Sequence, residues 1–165
     1  MTLDFTLPDT DGNPVPLSVD GEVSVVVFTC NHCPYALAWH DRIQDVARDY
    51  ADRGVRVLQI NANDAVKYPR DSVEAMKARV DAGEFASPYL HDETQEVARA
   101  WGAKTTPDVF VTDRSGVVYR GAPDADHGDP SLNAAWLRAA LDDVLAGRPV
   151  ANPETKPVGC SIKWK

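Results

Sequence analysis

The spacing of apolar positions divides the chain into short segments of recognisable period. Residues 23–28 read VSVVVF, an almost unbroken β-branched and aromatic run. A strand covered on both faces has this composition, since neither side of its pleat meets water, and it predicts a central strand of a partly parallel sheet. A helical period follows at once. Ala36, Trp39, Ile43, Val46 and Tyr50 form a stripe, Arg42, Asp45, Arg48 and Asp49 lie off it, and Gly54 supplies the stop. Residues 55–60 predict a second strand. Val73, Met76 and Val80 give the next helix its face, with Asp71 and Glu74 as a capping pair at its start, and Asp92 and Gln95 open a shorter helix that ends at Gly102.

Toward the C-terminus, residues 108–112 and 117–120 predict two strands joined through the Asp113-Arg114-Ser115-Gly116 turn. Asp129 is expected to cap a last helix with Pro130 in its first turn, Leu132, Trp136 and Ala139 on one face, and Gly147 and Pro149 ending it. Residues 1–20, broken by Pro8, Gly12, Pro14 and Pro16, read as an N-terminal hairpin or extended arm. Residues 148–165 read as a loop-like tail in which Ile162 and Trp164 alternate with Lys163 and Lys165, a pattern suited to a short edge strand. Parallel strands joined by helices, then an antiparallel pair, predict one α/β domain over 1–165 with a mixed central sheet flanked by helices.

Composition narrows the function classes. A net charge of −8 argues against partners rich in phosphate, such as nucleic acid or an anionic membrane surface. No run approaches the ~18–20 apolar residues of a membrane span, and the opening MTLD has neither the basic nor the apolar region of a secretory signal. Three cysteines, Cys30, Cys33 and Cys160, are too few and too odd in number for a stapled secreted domain. The expected setting is therefore the cytoplasm, with reactive thiols.

The chemistry concentrates at Cys30-Asn31-His32-Cys33-Pro34, between the buried strand and the first helix. Two cysteines at this spacing can close a small disulfide. A helix N-terminus offers free N–H groups and partial positive charge to a thiolate, which is the nucleophilic form. Pro34 suits the first helical turn, where its missing N–H costs nothing. His32, beside the second cysteine, is placed to favour a thiolate and so make the disulfide more oxidising. Zinc sites use the same Cys spacing, but Cys30, Cys33 and Cys160 supply only three ligands, and no second pair completes a closed set.

These residues resemble the thioredoxin-like superfamily, in particular its peroxiredoxin-like AhpC/TSA branch that carries a CxxC. The likeness runs through the opening FTLPD, the strand leading into FTCNHCPY, YPRDS at 68–72, TTPDVFV at 105–111, YRG at 119–121 and the GCSIKWK tail. It implies a thioredoxin fold with an N-terminal β-hairpin extension, the CxxC at the start of the first long helix, and Thr106–Pro107 as a cis-proline loop opposite the thiols that helps hold a disulfide partner. Two departures stand out. Thioredoxins carry a buried carboxylate on the strand before the motif, whereas here Glu22 lies only at its edge. Peroxiredoxins carry a hydroxyl residue three positions before the reactive cysteine; aligning Cys33 with that cysteine puts Cys30 there instead.

The function expected from this reading is a thiol–disulfide oxidoreductase. Cys30 attacks and the more buried Cys33 resolves, with Asn31, His32, Pro34, Thr106 and Pro107 tuning the thiols or holding substrate. Cys160 is either a resolving thiol or a small apolar group packed under the tail. Protein or small-molecule disulfides are the substrates, a reductase or thiol supplies electrons, and no cofactor or metal is called for. The alternatives are a thiol peroxidase with an antioxidant role, its reactive sulfur on Cys33 or Cys30, and a thiol-based metal-binding or chaperone-like module. His40, His91 and His127 read as solvated or hydrogen-bonded, Trp39, Trp101 and Trp136 as core, and Asn61 and Asn63 as turn residues after a strand.

Overall fold

The computed structural model describes residues 3–19 and 21–165. Its centre is a five-stranded sheet in the order β5-β4-β3-β7-β8, formed by β3 (Ser24–Thr29), β4 (Arg56–Asn61), β5 (Tyr89–His91), β7 (Asp108–Asp113) and β8 (Gly116–Gly121). The β3, β4 and β5 strands run parallel, while β7 pairs antiparallel with both β3 and β8, so the sheet is mixed. The hairpin of β1 (Phe5–Pro8) and β2 (Pro14–Leu17) precedes it. Four α-helices stand among the described residues: α1 (Pro34–Ala51), α2 (Val73–Asp81), α3 (Glu96–Trp101) and α4 (Ala135–Leu145). None of the described helices is long and apolar enough to cross a membrane.

The strand over 23–28 is covered on both sides, as its composition implies. Val25 and Val27 face α1 and α4 in one core with Trp39, Ile43, Val46, Tyr50, Leu137 and Leu141. Val26 and Phe28 face the opposite way, into a second core with Leu58, Ile60, Phe110, Trp101 and the hairpin residues Phe5, Leu7 and Leu17. Each of these side chains contributes about 1.5–3 kcal/mol when fully removed from water. The helical stripe of α1 is buried in full, but Arg42 is buried too. Its guanidinium meets Asp124 and the carbonyls of Asp126, His127 and Asp129. Sequence period places a residue on a helix face; it does not show that a distant loop will fold over that face.

Three further expectations are corrected. The β5 strand was not anticipated, because three residues are too few to show a period. The cap of α2 is Ser72, whose hydroxyl accepts from Ala75 N–H, and Asp71 lies instead in a buried 3-10 turn, Pro69–Asp71. The last helix starts at Ala135, not near Pro130: Asp129 closes an exposed turn with Ser131, and the buried face is Leu137, Ala140 and Leu141. In the tail, the strand is β9 (Cys160–Ser161), which pairs with β6 (Thr105–Thr106), while Ile162 enters the second core.

Candidate active site

The turn leaving β3 delivers Cys30 and Cys33 to the N-terminus of α1. Cys33 is the residue before the first helical turn, in extended backbone (φ −73°, ψ 125°), with Pro34 following it and its carbonyl accepting from Leu37 N–H. Across from it, the Thr106–Pro107 peptide bond is cis, and Thr106 touches both sulfurs. Its hydroxyl lies 3.4 Å from Cys30 Sγ, and its carbonyl accepts from the Cys33 thiol at 3.2 Å. The two cysteines also hydrogen-bond each other, and all three thiols are free. Cys160, half-buried on β9 opposite Thr106 in the ladder, packs against this cluster with Tyr35.

Burial does not separate the cysteines as sequence suggests. Cys30 and Cys33 are each 1% exposed, and the half-buried Cys160 and Tyr35 pack against them. Charge does separate them. The hydrogen bond from the Cys30 thiol, helped by the Cys160 thiol, the Ala36 N–H and Thr106, outweighs burial and holds the Cys33 thiol down to about 4. The same hydrogen bond, burial and the negative Asp71 push Cys30 up. Both directions favour the thiolate on Cys33, which sits at the helix N-terminus. Burial and the adjacent Cys33 sulfur push Cys160 up to about 11.

A buried carboxylate is present after all, on a different element. Asp71 is fully buried and accepts from Asn31 N–H (2.7 Å), Asn61 Nδ2 (3.0 Å) and Asn63 Nδ2 (3.0 Å). His32 Nδ1 lies 2.6 Å from its second oxygen, an ion-pair contact whose ring is not aligned for a linear hydrogen bond. The ring stacks on Tyr68. Any positive charge on His32 thus lies against a negative one. Asn61 and Asn63 are buried anchors of this carboxylate, although they read as turn residues in the sequence. Asn31 turns its side chain away from the sulfurs, bonding Arg70 O, Arg79 and the Tyr89 hydroxyl. His40 is tied to Glu84 O, and His91 sits on β5, neither in the cluster.

Cys30, His32 and Asp71 place their donor atoms within 4.8 Å of one another, three groups able to ligate an ion. This trio differs from the three-cysteine set that the sequence offers for metal. Asp71 escaped sequence reading because its partners lie up to 40 residues away, and its place beside Ser72 imitates a helix cap. A cleft of about 520 Å³ opens elsewhere, between β1 and α3, and none of the cysteines lines it.

A mixed sheet in this order, with the thiols at the end of β3 and a cis-proline loop beside them, is the thioredoxin fold. Within that class the family model of the AhpC/TSA family matches residues 1–120, and the chain belongs to this family. Among solved structures it is similar to a hypothetical protein from Sinorhizobium meliloti 1021, at 40% identity over 98% of this chain and 91% of that one, with a TM-score of 0.91. It is equally similar to an uncharacterized conserved protein from Geobacillus kaustophilus, at 42% identity over 98% and 89% of the two chains, with a TM-score of 0.90. A secreted Mycobacterium tuberculosis disulfide oxidoreductase shares the fold at 23% identity over 69% and 79%, with a TM-score of 0.57. A comparison with the curated proteins finds no match.

Proposed function

We propose that this chain is a thiol–disulfide oxidoreductase in which Cys33 attacks and Cys30 resolves. Family membership supports thiol redox chemistry in general, and the single observation that carries the finer reading is the seat of Cys33 as the cap residue at the N-terminus of α1, where free N–H groups and partial positive charge favour its thiolate. The order is the reverse of the sequence expectation, in which Cys30 attacks and the more buried Cys33 resolves.

In this reading the Cys33 thiolate attacks one sulfur of a substrate disulfide. A Cys33–substrate disulfide forms, and the other substrate sulfur leaves as thiolate and takes up a proton. Cys30 then loses its proton to the His32–Asp71 pair, whose atoms lie within 4.8 Å of its sulfur, and attacks Cys33. The second substrate thiolate leaves and the Cys30–Cys33 disulfide closes. The substrate has gained two electrons, and a reductase or low-molecular-weight thiol returns two to the protein. Access requires the rim to yield. The β6–β9 ladder there is only two residues long, and Tyr68 and Val158 are exposed apolar side chains near it in sequence or contact. A cytoplasmic setting belongs to the proposal, supported by the sparse cysteines.

The test is reduction of insulin disulfides by wild type and by Cys30→Ser and Cys33→Ser. The proposal expects turnover only in wild type; full activity in either variant would falsify it. A second reading, peroxidase, is favoured by one observation: Cys33, at the start of α1, occupies the position aligned with the peroxidatic cysteine. Peroxide consumption by wild type no faster than by free thiol removes it.

A further inference from the structure

We propose that Cys160 is a third redox thiol, and that the chain makes two alternative disulfides sharing Cys33: a buried Cys30–Cys33 bond and a Cys33–Cys160 bond with one sulfur at the surface. The inference rests on the disulfide-exchange reading above and adds the route by which the oxidised form is recycled.

Four observations place Cys160 for this role. The β6–β9 register sets Cys160 opposite Thr106, the residue that touches both other sulfurs. Cys160 already packs against the buried cluster of Cys30, Cys33 and Ala36. The strand is brought in by a close approach that only glycine permits, because a Cβ on Gly159 would lie 2.3 Å from Thr106 O, a backbone atom. Finally, the chain is pinned on both sides of Cys160. Before it, Thr155 N–H donates to Arg120 O, Arg120 N–H donates to Pro153 O, and the Thr155 hydroxyl meets Tyr119. After it, Ile162 is buried and its N–H donates to Lys104 O, and Lys163 bonds Asn63, Asp64 and Gln95. Asn63 is the same residue that holds Asp71, so the tail and the thiol turn are fastened to one post. A thiol confined in this way meets Cys33 at the high effective concentration of an intramolecular reaction.

Exposure supplies the reason such a bond is useful. Once Cys30–Cys33 has closed, both of its sulfurs are buried, and a recycling thiol must attack one of them in line. Attack of the Cys160 thiolate on Cys33 breaks the Cys30–Cys33 bond, forms Cys33–Cys160 and releases Cys30 as a thiolate that takes up a proton. No electrons enter or leave in that step. The disulfide now ends on the half-buried Cys160, less enclosed than either buried sulfur, where a low-molecular-weight thiol can attack. Two of the influences that keep Cys160 protonated, the hydrogen bond and the charge of Cys33, disappear once Cys33 is in a disulfide, and Lys163 favours the thiolate.

The experiment maps disulfides by mass spectrometry after acid quenching and alkylation. Cys30→Ser and wild type are each oxidised with limiting glutathione disulfide. The proposal expects an intramolecular Cys33–Cys160 disulfide as the main product in Cys30→Ser, and the same bond as a minor species beside Cys30–Cys33 in wild type. Cys33 found only as a glutathione adduct in Cys30→Ser, with Cys160 free and no Cys33–Cys160 peptide in wild type, overturns it. The wild-type map separates this failure from that of the parent reading. Cys30–Cys33 present without Cys33–Cys160 defeats only the third-thiol role, whereas absence of Cys30–Cys33 defeats the exchange mechanism itself. If Cys30→Ser does not fold, the wild-type map decides alone.

Discussion

The acidity of Cys33 has its largest cause in the Cys30 thiol beside it, with the Cys160 thiol and the Ala36 N–H at the helix start adding to it. An acid whose value is depressed is ionised above that value and protonated below it. The ultraviolet absorbance of one thiolate should therefore persist from neutral pH downward and vanish as pH falls through about 4. In Cys30→Ala the largest donor is lost and the midpoint should move upward; an unchanged midpoint would show that the Cys30 thiol has no part in it. Asp71 makes a second case at this scale. Asp71→Ala leaves Asn31 N–H and the amides of Asn61 and Asn63 without their acceptor, and should cost at least about 3 kcal/mol in urea unfolding. The cysteine pair and its helix start were legible in the sequence because they are contiguous. Asp71 was not, since an acid two positions before an apolar helix face looks the same whether it caps that helix or faces a thiol.

At the scale of elements, local period identified β3, β4, α1 and the β7–β8 hairpin, where a strand or helix carries its own pattern. It failed where a distant segment decides the outcome. Arg42 lies off the apolar stripe of α1 yet is buried, because Asp124 accepts from it, from Trp39 Nε1 and from Ala134 N–H, drawing the loop before α4 over the helix. That same loop displaced the start of α4 from the position an Asp-Pro cap suggests. Asp124→Ala strands a buried guanidinium and should destabilise the fold by about 3–5 kcal/mol, measured by urea unfolding; a loss below about 1 kcal/mol, the range of exposed pairs, would mean that Arg42 finds water instead. The β9 strand gives a gentler test. Gly159→Ala forces a Cβ against Thr106 O, so β9 should lift from β6 and Cys160 should alkylate faster, with little change in melting. An unaltered alkylation rate would show that the close approach does not hold the strand.

Across the whole molecule, the sheet brings together three pieces from distant parts of the chain: the turn after β3, the 3-10 turn at Pro69–Asp71, and the β6–β9 corner. Each contributes one kind of group: sulfur, carboxylate, and a backbone edge carrying the third thiol. The resemblance to AhpC/TSA proteins implied the first and the cis-proline loop in advance; only the folded chain shows that the other two converge on it. The central claim is that Cys33, not Cys30, makes the first bond to substrate. Its most direct test reacts a protein disulfide with Cys30→Ser and with Cys33→Ser and maps the trapped adduct. Adduct on Cys33 in the first variant, with Cys30 in the second reacting far more slowly, is the predicted result. Rapid adduct formation on Cys30 in Cys33→Ser, with Cys33 inert in the other, contradicts it.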